Sequence, residues 1–150
     1  MNKTFRVEKD SMGEIKVPFD ALYQAQTQRA IDNFKISKHE MPKDLIVALA
    51  YIKQASAKTN AELGTLNNNI ADAIIKAAKY IIDGQYHDQF PIDVFQTGSG
   101  TSTNMNANEV LATLASQILN EKVSPNDHVN MGQSSNDVIP TSIQVSAVMT

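Results

Sequence analysis

Residues 70–81 have the clearest helical pattern in the sequence. Apolar side chains recur there at intervals of three and four, at Ile70, Ala73, Ile74, Ala77, Ala78 and Ile81. Charged residues lie on the opposite side, so the segment has one apolar and one solvated face at 3.6 residues per turn. Asn67 can cap its start and Gly84 can end it. The pattern predicts a helix that packs by its apolar face against other helices.

Similar spacing predicts helices in most of the remaining chain. They cover residues 21–33 after a cap at Asp20, residues 45–63, a segment that ends near Asn120, and a last segment that begins at Asn136 or Asp137. Residues 5–9 and 15–17 instead alternate apolar and polar side chains, which predicts a β-hairpin with its turn at Gly13. The predicted fold class is therefore mainly α with a short amino-terminal hairpin. Thr27, Gln28 and Arg29 are expected on a solvated helix face.

Composition excludes several classes of function. The net charge is −3, from 13 Lys and Arg against 16 Asp and Glu, and neither sign forms a run that would attract nucleic acid. There is no cysteine, so disulfides, thiolate metal sites and cysteine nucleophiles are ruled out. Residues 1–10 are mostly polar, and no apolar run approaches the ~20 residues that cross a bilayer. We therefore expect no membrane association, no metal site and a cytoplasmic location.

Residues 96–108 form an uncharged polar stretch that opens a predicted helix. From position 97 onward the stretch holds five hydroxyl side chains, three carboxamides and two glycines. Glycines on both sides of Ser99 let backbone N–H groups approach a ligand, and a helix amino terminus favours an anion such as a carboxylate or phosphate. Neither nucleotide motif is matched, because a P-loop lysine is absent and Thr103 replaces a third glycine.

Two interpretations of this stretch remain open. The first is that Asn104, Asn106 or Asn108 simply caps the following helix. The second is that the stretch binds a ligand together with residues 133–137, a further polar cluster at a predicted helix start. The repetition of the same chemistry at two helix starts favours the second interpretation.

Three segments of the chain resemble the class II fumarases of the fumarase/aspartase superfamily. They are QTGSGTSTNMNANE at residues 96–109, PNDHVNMGQSSND at 125–137 and FRVEKDSMGEIKVPFDALYQAQTQR at 5–29. The resemblance extends over essentially all 150 residues. Aspartases of the superfamily differ in two places, with a Gly-Ala-Gly-Thr loop and a Ser-Thr-Asn-Asp motif. The sequence is therefore more similar to the fumarases.

The resemblance implies reversible hydration of fumarate to L-malate without a cofactor, in a homotetramer. The residues it assigns to the substrate carboxylates are Ser99, Gly100, Thr101, Ser134, Ser135 and Asn136, with Asn104 as a supporting donor. No catalytic residue is expected within the chain, because the family's serine base, its Thr-His pair and its Lys-x-Asn motif all lie later in the sequence. Residues 1–150 would then be an amino-terminal domain that is inactive alone, and the last helix is expected to continue beyond residue 150.

A second anion site of the family is doubtful in this sequence. In the family the corresponding segment usually begins His-Pro-Asn-Asp after an Arg, whereas here it is Ser124, Pro125, Asn126 and Asp127. Two other functions stay open at this point. One is a related lyase that acts on aspartate or another succinyl compound, and the other is a non-catalytic helical interaction module.

Overall fold

The chain folds into packed helices preceded by a two-stranded sheet. A computed structural model describes residues 4–150; residues 1–3, part of the polar segment that argues against a signal peptide, lie outside the described range. The elements in order are β1 (Phe5–Asp10), β2 (Gly13–Pro18), α1 (Ala25–Asn33), α2 (Lys43–Glu62), α3 (Asn68–Ile82), a 3₁₀ turn (His87–Gln89), α4 (Thr101–Leu119), a π-helical turn (Pro125–Val129) and α5 (Ser135–Met149). The predicted mainly helical fold with an amino-terminal hairpin is confirmed.

The helix α4 lies at the centre of the helical packing. It contacts α1, α2, α3 and α5, and nearly every residue between positions 103 and 115 is buried. The predicted apolar face of α3 is buried at Ala73, Ile74, Ala77, Ala78 and Ile81, while Ile70 is partly buried. Among residues 4–150, no helix combines the length and the apolar character that crossing a membrane requires.

The first helix begins later than predicted, and the predicted cap at Asp20 is wrong. The guanidinium group of Arg6 on β1 donates hydrogen bonds to the carbonyl oxygens of Pro18 at 2.8 Å, Ala21 at 2.8 Å and Tyr23 at 2.7 Å. Those carbonyls bond to a strand residue instead of to helical N–H groups. The chain therefore stays non-helical until Gln24, which is the residue that precedes α1.

A carboxylate from α4 provides the acceptors that start α1. Oε2 of Glu109 accepts hydrogen bonds from the backbone N–H groups of Gln24 at 2.9 Å and Thr27 at 3.0 Å, and Oε1 accepts from Gln26 at 2.9 Å. The first N–H groups of a helix have no partner within the helix, and a negative charge there is stabilised by the helix dipole. Glu109 is only 3% exposed; burial raises the pKa of its carboxyl group, and the N–H donors oppose that shift.

Two of the three polar residues expected on a solvated face of α1 make structural contacts instead. Thr27 is 0% exposed, so the expectation is wrong for it. Arg29 forms an ion pair with Asp10, with its Nε 2.9 Å from Oδ2, and also donates to the carbonyl oxygen of Gly13 at 3.0 Å. The hydrogen bonds from Arg29 hold the pKa of Asp10 below its usual value. This pair attaches the hairpin turn to α1.

The start of α5 lies slightly earlier than predicted. Its cap is Ser134, whose Oγ accepts a hydrogen bond from the N–H of Asn136 at 3.2 Å, so the helix begins at Ser135 and not at the predicted Asn136 or Asp137. Serine and asparagine are both good caps, so the polar residues 133–137 do not by themselves fix the first helical residue. Pro140 lies inside the helix.

Replacing Glu109 by Gln is expected to lower the free energy of unfolding by about 1.5–3 kcal/mol, the usual range for hydrogen bonds to a charged group. One carboxylate oxygen becomes an amide nitrogen, which is a donor and faces the N–H donors of α1. Urea denaturation of the 150-residue chain measures the change. The control is Glu62→Gln at an exposed position of α2, expected within about 0.5 kcal/mol of the parent. Equal stabilities of the two variants would contradict the role given to Glu109.

Candidate functional site

A carboxamide holds the loop in front of α4 in a tight turn. Oε1 of Gln96 accepts a hydrogen bond from the N–H of Thr103 at 2.8 Å, and its Nε2 donates to the hydroxyl of the same threonine. The N–H of Gly100 donates to the carbonyl oxygen of Thr97 at 2.9 Å and is therefore already paired. Within the described residues, no hydrogen bond is found for the N–H groups of Gly98, Ser99, Thr101 and Ser102, so these are the backbone donors that residues 98–102 can offer a ligand.

Gly100 brings the first turns of α4 and α5 into contact. Its φ of 71° lies in the left-handed region, and a Cβ at this position would be 2.9 Å from Cγ2 of Ile139 on α5. Gly98 differs, because a Cβ there would meet nothing within 4 Å and its φ is not in the left-handed region. The local structure therefore requires a glycine only at the second of the two positions that flank Ser99.

The carboxamides of α4 do not cap the helix, so that interpretation is wrong. The helix begins at Thr101, and all three asparagines lie inside it as buried residues. Nδ2 of Asn106 donates to the carbonyl oxygen of Gln89 at 2.9 Å. Nδ2 of Asn108 lies 3.4 Å from Sδ of Met105 within the same helix. These side chains are oriented by packing rather than by the helix end.

Asn104 connects the two polar segments directly. Its side chain is 1% exposed, and Nδ2 donates to Oγ of Ser135 at 3.0 Å and to Oδ1 of Asn130 at 3.3 Å. Its Oδ1 has no partner in the described part of the chain. The hydrogen bond to Ser135 joins the first turn of α5 to the early part of α4. The structure therefore places the two predicted polar clusters side by side.

The predicted carboxylate-binding side chains differ in their surroundings. Ser99 and Thr101 are exposed, and their hydroxyl oxygens lie 2.8 Å apart. Ser134 caps α5, Ser135 is half-buried against Asn104, and Asn136 is exposed. Among residues 4–150, no hydrogen bond joins Ser99 or Thr101 to residues 134–136. The hydroxyls thus form two separate donor groups on neighbouring helix starts.

Lys53 on α2 lies behind this pair of helix starts, and the sequence analysis did not find it. Its side chain is 0% exposed, and Nζ donates to Oδ1 of Asn130 at 3.0 Å and to Oε1 of Gln133 at 2.9 Å. Burial lowers the pKa of Lys53 to about 7. The signal in the sequence was its spacing, because Lys53 follows the buried Leu49 by four residues and precedes the buried Ala57 by four.

These features together suit an anion with two separated negative groups. Two helix amino termini lie side by side, with unpaired N–H groups at Thr101 and Ser102 on α4 and at Ser135 on α5, and each terminus carries a partial positive charge. Neutral hydroxyl and amide donors surround them, and the ammonium group of Lys53 lies beneath. In the described range 4–150, no cluster of three or more His, Cys, Asp and Glu side chains could hold a metal ion.

In the segment considered for a second anion site, most side-chain hydrogen bonds are made within the segment itself. Oγ of Ser124 accepts from the N–H of Asp127 at 3.1 Å and donates to Oδ2 of the same residue at 2.9 Å. Nδ1 of His128 accepts from the N–H of Ser124 at 3.0 Å. Ser124, Pro125 and Asn126 line a cavity of about 700 Å³ whose wall carries both acidic and basic side chains. That mixed wall does not by itself select an anion.

Replacing Gly100 by Ala is expected to destabilise the chain by about 1–2 kcal/mol, the cost of a left-handed conformation for a residue with a Cβ. The contact with Ile139 adds to this cost. Gly98→Ala is the matched control and is expected to change the free energy of unfolding by no more than about 0.5 kcal/mol. Thermal denaturation of both variants measures the difference, and similar melting temperatures would contradict the packing described for Gly100.

The lowered pKa of Lys53 predicts a pH dependence of stability. Above about pH 7 the folded chain releases the proton of Lys53, while the unfolded chain keeps it up to about pH 10.4. The free energy of unfolding therefore rises with pH between these values, by at most about 1.4 kcal/mol per pH unit. Urea denaturation between pH 6 and 9 should show this rise in the parent and in Lys58→Met, which alters an exposed lysine of α2. Lys53→Met should lack it. Parallel curves for all three proteins would contradict the prediction.

Comparison with known proteins gives consistent matches over the whole chain. A family model described as "Lyase" matches residues 13–150. Fumarate hydratase class II from Xylella fastidiosa is 58% identical over 97% of this chain and 31% of that protein. The same enzyme from Halobacterium salinarum is 52% identical over 99% of this chain and 33% of that protein. The chain thus spans about a third of the length of these curated relatives.

Solved structures agree with the sequence matches. A class II fumarase from Schistosoma mansoni superposes with a TM-score of 0.95 at 44% identity, over 97% of this chain and 32% of that one. The fumarate lyase:delta crystallin from Brucella melitensis gives a TM-score of 0.93 at 43% identity, over 97% of this chain and 36% of that one. These matches confirm the resemblance to the class II fumarases that the sequence motifs indicated. The chain belongs to the lyase family.

Proposed function

We propose that the chain supplies the carboxylate-binding loops of an enzyme that reversibly hydrates fumarate to L-malate. The observation that carries this proposal is the hydrogen bond from Asn104 to Ser135, which joins the two polar helix starts. The two segments joined are those in which the sequence resembles class II fumarases. Relatives named fumarate hydratase class II, at 58% and 52% identity, support the same activity.

The reaction explains why neutral donors suit this site. Hydration adds a hydroxyl group to one carbon of the double bond and a proton to the other, and the reverse reaction removes a proton beside a carboxylate. Removing that proton builds a second negative charge on the carboxylate, so the transition state needs better stabilisation than the ground state. Oriented hydroxyl, amide and backbone N–H groups can stabilise the charge that develops in the transition state. A fixed counter-charge would already stabilise the bound substrate.

The position of each residue supports a separate proposed role. Ser99 and Thr101 bind one carboxylate with the free N–H groups at the start of α4, while Ser135 and Asn136 bind at the start of α5. Gly100 acts by allowing close packing, because its own N–H is paired with Thr97. Ser134 contributes through its capping of α5, and Asn104 supports Ser135 from behind.

The remaining parts of the proposal concern the whole enzyme. Residues 1–150 are its amino-terminal domain, the enzyme is a homotetramer of the cytoplasm, and it needs no organic cofactor. The base and the acid come from sequence outside this chain, as the resemblance implies. The 150-residue chain alone is therefore inactive. Fumarate is favoured over aspartate because residues 98–101 and 134–137 match the fumarase motifs rather than the aspartase ones.

Replacing Thr101 by Val tests the proposal. The protein is a full-length chimaera in which residues 1–150 are joined to the remaining part of the Xylella fastidiosa relative. We expect kcat/KM for fumarate hydration to fall about 10²-fold or more, the usual effect of losing one positioned donor. Folding should be unchanged, because the exposed Thr101 side chain does not cap α4. Absorbance of fumarate measures turnover, with ammonia release from aspartate as the alternative reaction.

The matched control is Thr59→Val, which makes the same change at an exposed position of α2. It should leave both kcat/KM and the melting temperature unchanged. Unchanged kinetics in Thr101→Val with a lowered melting temperature would show that the loop has only a structural role. Turnover of aspartate instead of fumarate by the chimaera would reject fumarate as the substrate.

A further inference from the structure

Below about pH 7, where Lys53 keeps its proton, it is a buried cation without an anionic partner. Within residues 4–150, no carboxylate oxygen lies within 4.0 Å of its Nζ, whose hydrogen-bond acceptors are the carboxamide oxygens of Asn130 and Gln133. Burying an unpaired charge costs several kcal/mol, and an apolar side chain of similar volume usually fits such a position at lower cost. A role in packing alone therefore does not account for a lysine at this position.

The ammonium group fixes the orientation of the carboxamides around it. An ammonium is a donor only, so Oδ1 of Asn130 and Oε1 of Gln133 must face Nζ. The amide nitrogen of Gln133 then donates to the carbonyl oxygens of Val129 at 2.9 Å and Met131 at 3.2 Å. The amide nitrogen of Asn130 faces the carbonyl oxygen of Gln133 at 3.3 Å. Neither carboxamide can be reversed without placing a nitrogen against the ammonium.

The orientation of the Asn130 carboxamide fixes that of Asn104, which contacts the proposed site. Because its Oδ1 faces both Lys53 and Asn104, Asn104 must present its amide nitrogen there. The second hydrogen of that nitrogen goes to Oγ of Ser135. Ser135 thus accepts a hydrogen bond from inside the fold, and its own hydroxyl hydrogen is left to donate outward. The chain of contacts makes Ser135 a donor, which is what a carboxylate requires.

We propose that Lys53 is a positioning residue for dicarboxylate binding, acting through Asn130 and Asn104 to hold the hydroxyl of Ser135 as a donor, while its charge attracts the dianion from beneath the two helix starts. This inference rests on the proposed function. It adds a residue from α2 to a site otherwise built from α4, α5 and the loops that precede them. Its Nζ is buried and donates to Asn130 and Gln133 rather than to the exposed hydroxyls, so Lys53 is a positioning residue and not a catalytic one.

The test measures fumarate kinetics of Lys53→Met in the same full-length chimaera at pH 6, where the parent lysine keeps its proton. KM should rise about tenfold with kcat changed less than about twofold, because a positioning charge that acts on the carboxylate favours bound substrate and transition state alike. The matched control is Lys58→Met, which removes an exposed lysine from the same helix and should leave both constants unchanged. A melting temperature for each variant separates loss of folding from loss of binding.

A double-mutant cycle distinguishes positioning from general support of the fold. If Lys53 acts through Ser135, then Lys53→Met should raise KM much less in a Ser135→Ala background than in the parent, because residues in one hydrogen-bond network are not additive. A purely structural role would give additive effects in the cycle. Additive effects would overturn the connection through Asn130 and Asn104.

A second variant covers the case in which Lys53→Met does not fold. Asn130→Leu breaks the same chain of contacts while keeping the lysine, and it should also raise KM in a manner that depends on Ser135. An active parent chimaera whose KM is unchanged by either variant would overturn the role of Lys53 and leave the proposed function intact. A parent chimaera without fumarate turnover would overturn the proposed function, and with it this inference.

Discussion

The burial of α4 on nearly all sides is the constraint on which the other features depend. A helix at the centre of a fold usually carries only apolar side chains, because a buried polar group without a partner is costly. The first half of α4 nevertheless holds Thr103, Asn104, Asn106, Asn108 and Glu109. Most of these side chains must therefore find partners on other segments, and those segments are held in place by them.

Each of these buried polar residues of α4 holds a different segment of the chain in place. Glu109 provides the acceptors that start α1, Asn106 holds the 3₁₀ turn through the carbonyl of Gln89, and Asn104 holds the start of α5. A helix of this kind orders the site as well as the core. The network that includes Lys53 extends this order to α2, so the proposed ligand-binding groups are supported on rigid elements rather than on loops alone.

The sequence was sufficient wherever local spacing decided the structure. The amphipathic face of α3, the hairpin and the presence of a helix after the glycine-rich loop follow from periodicity and turn chemistry, whereas the first residue of α4, Thr101, does not. Local spacing was not sufficient where residues distant in the sequence determine the structure. Arg6 delays the start of α1 and Glu109 provides its acceptors, and neither effect has a signal in the sequence near Asp20. Lys53 was missed for the same reason, because only the fold brings it to Asn130, 77 residues away.

The link between Glu109 and α1 also bears on synthesis of the chain by the ribosome. The two partners Gln24 and Glu109 are 85 residues apart, so at 5–20 residues per second roughly 4 to 17 s separate their translation. Throughout that interval the first N–H groups of α1 have only water as a partner, and a helix of 9 residues is marginal without tertiary support. The start of α1 therefore lacks its carboxylate acceptor until α4 has been made, although the hairpin can already pair with itself and contact α1 through Arg29.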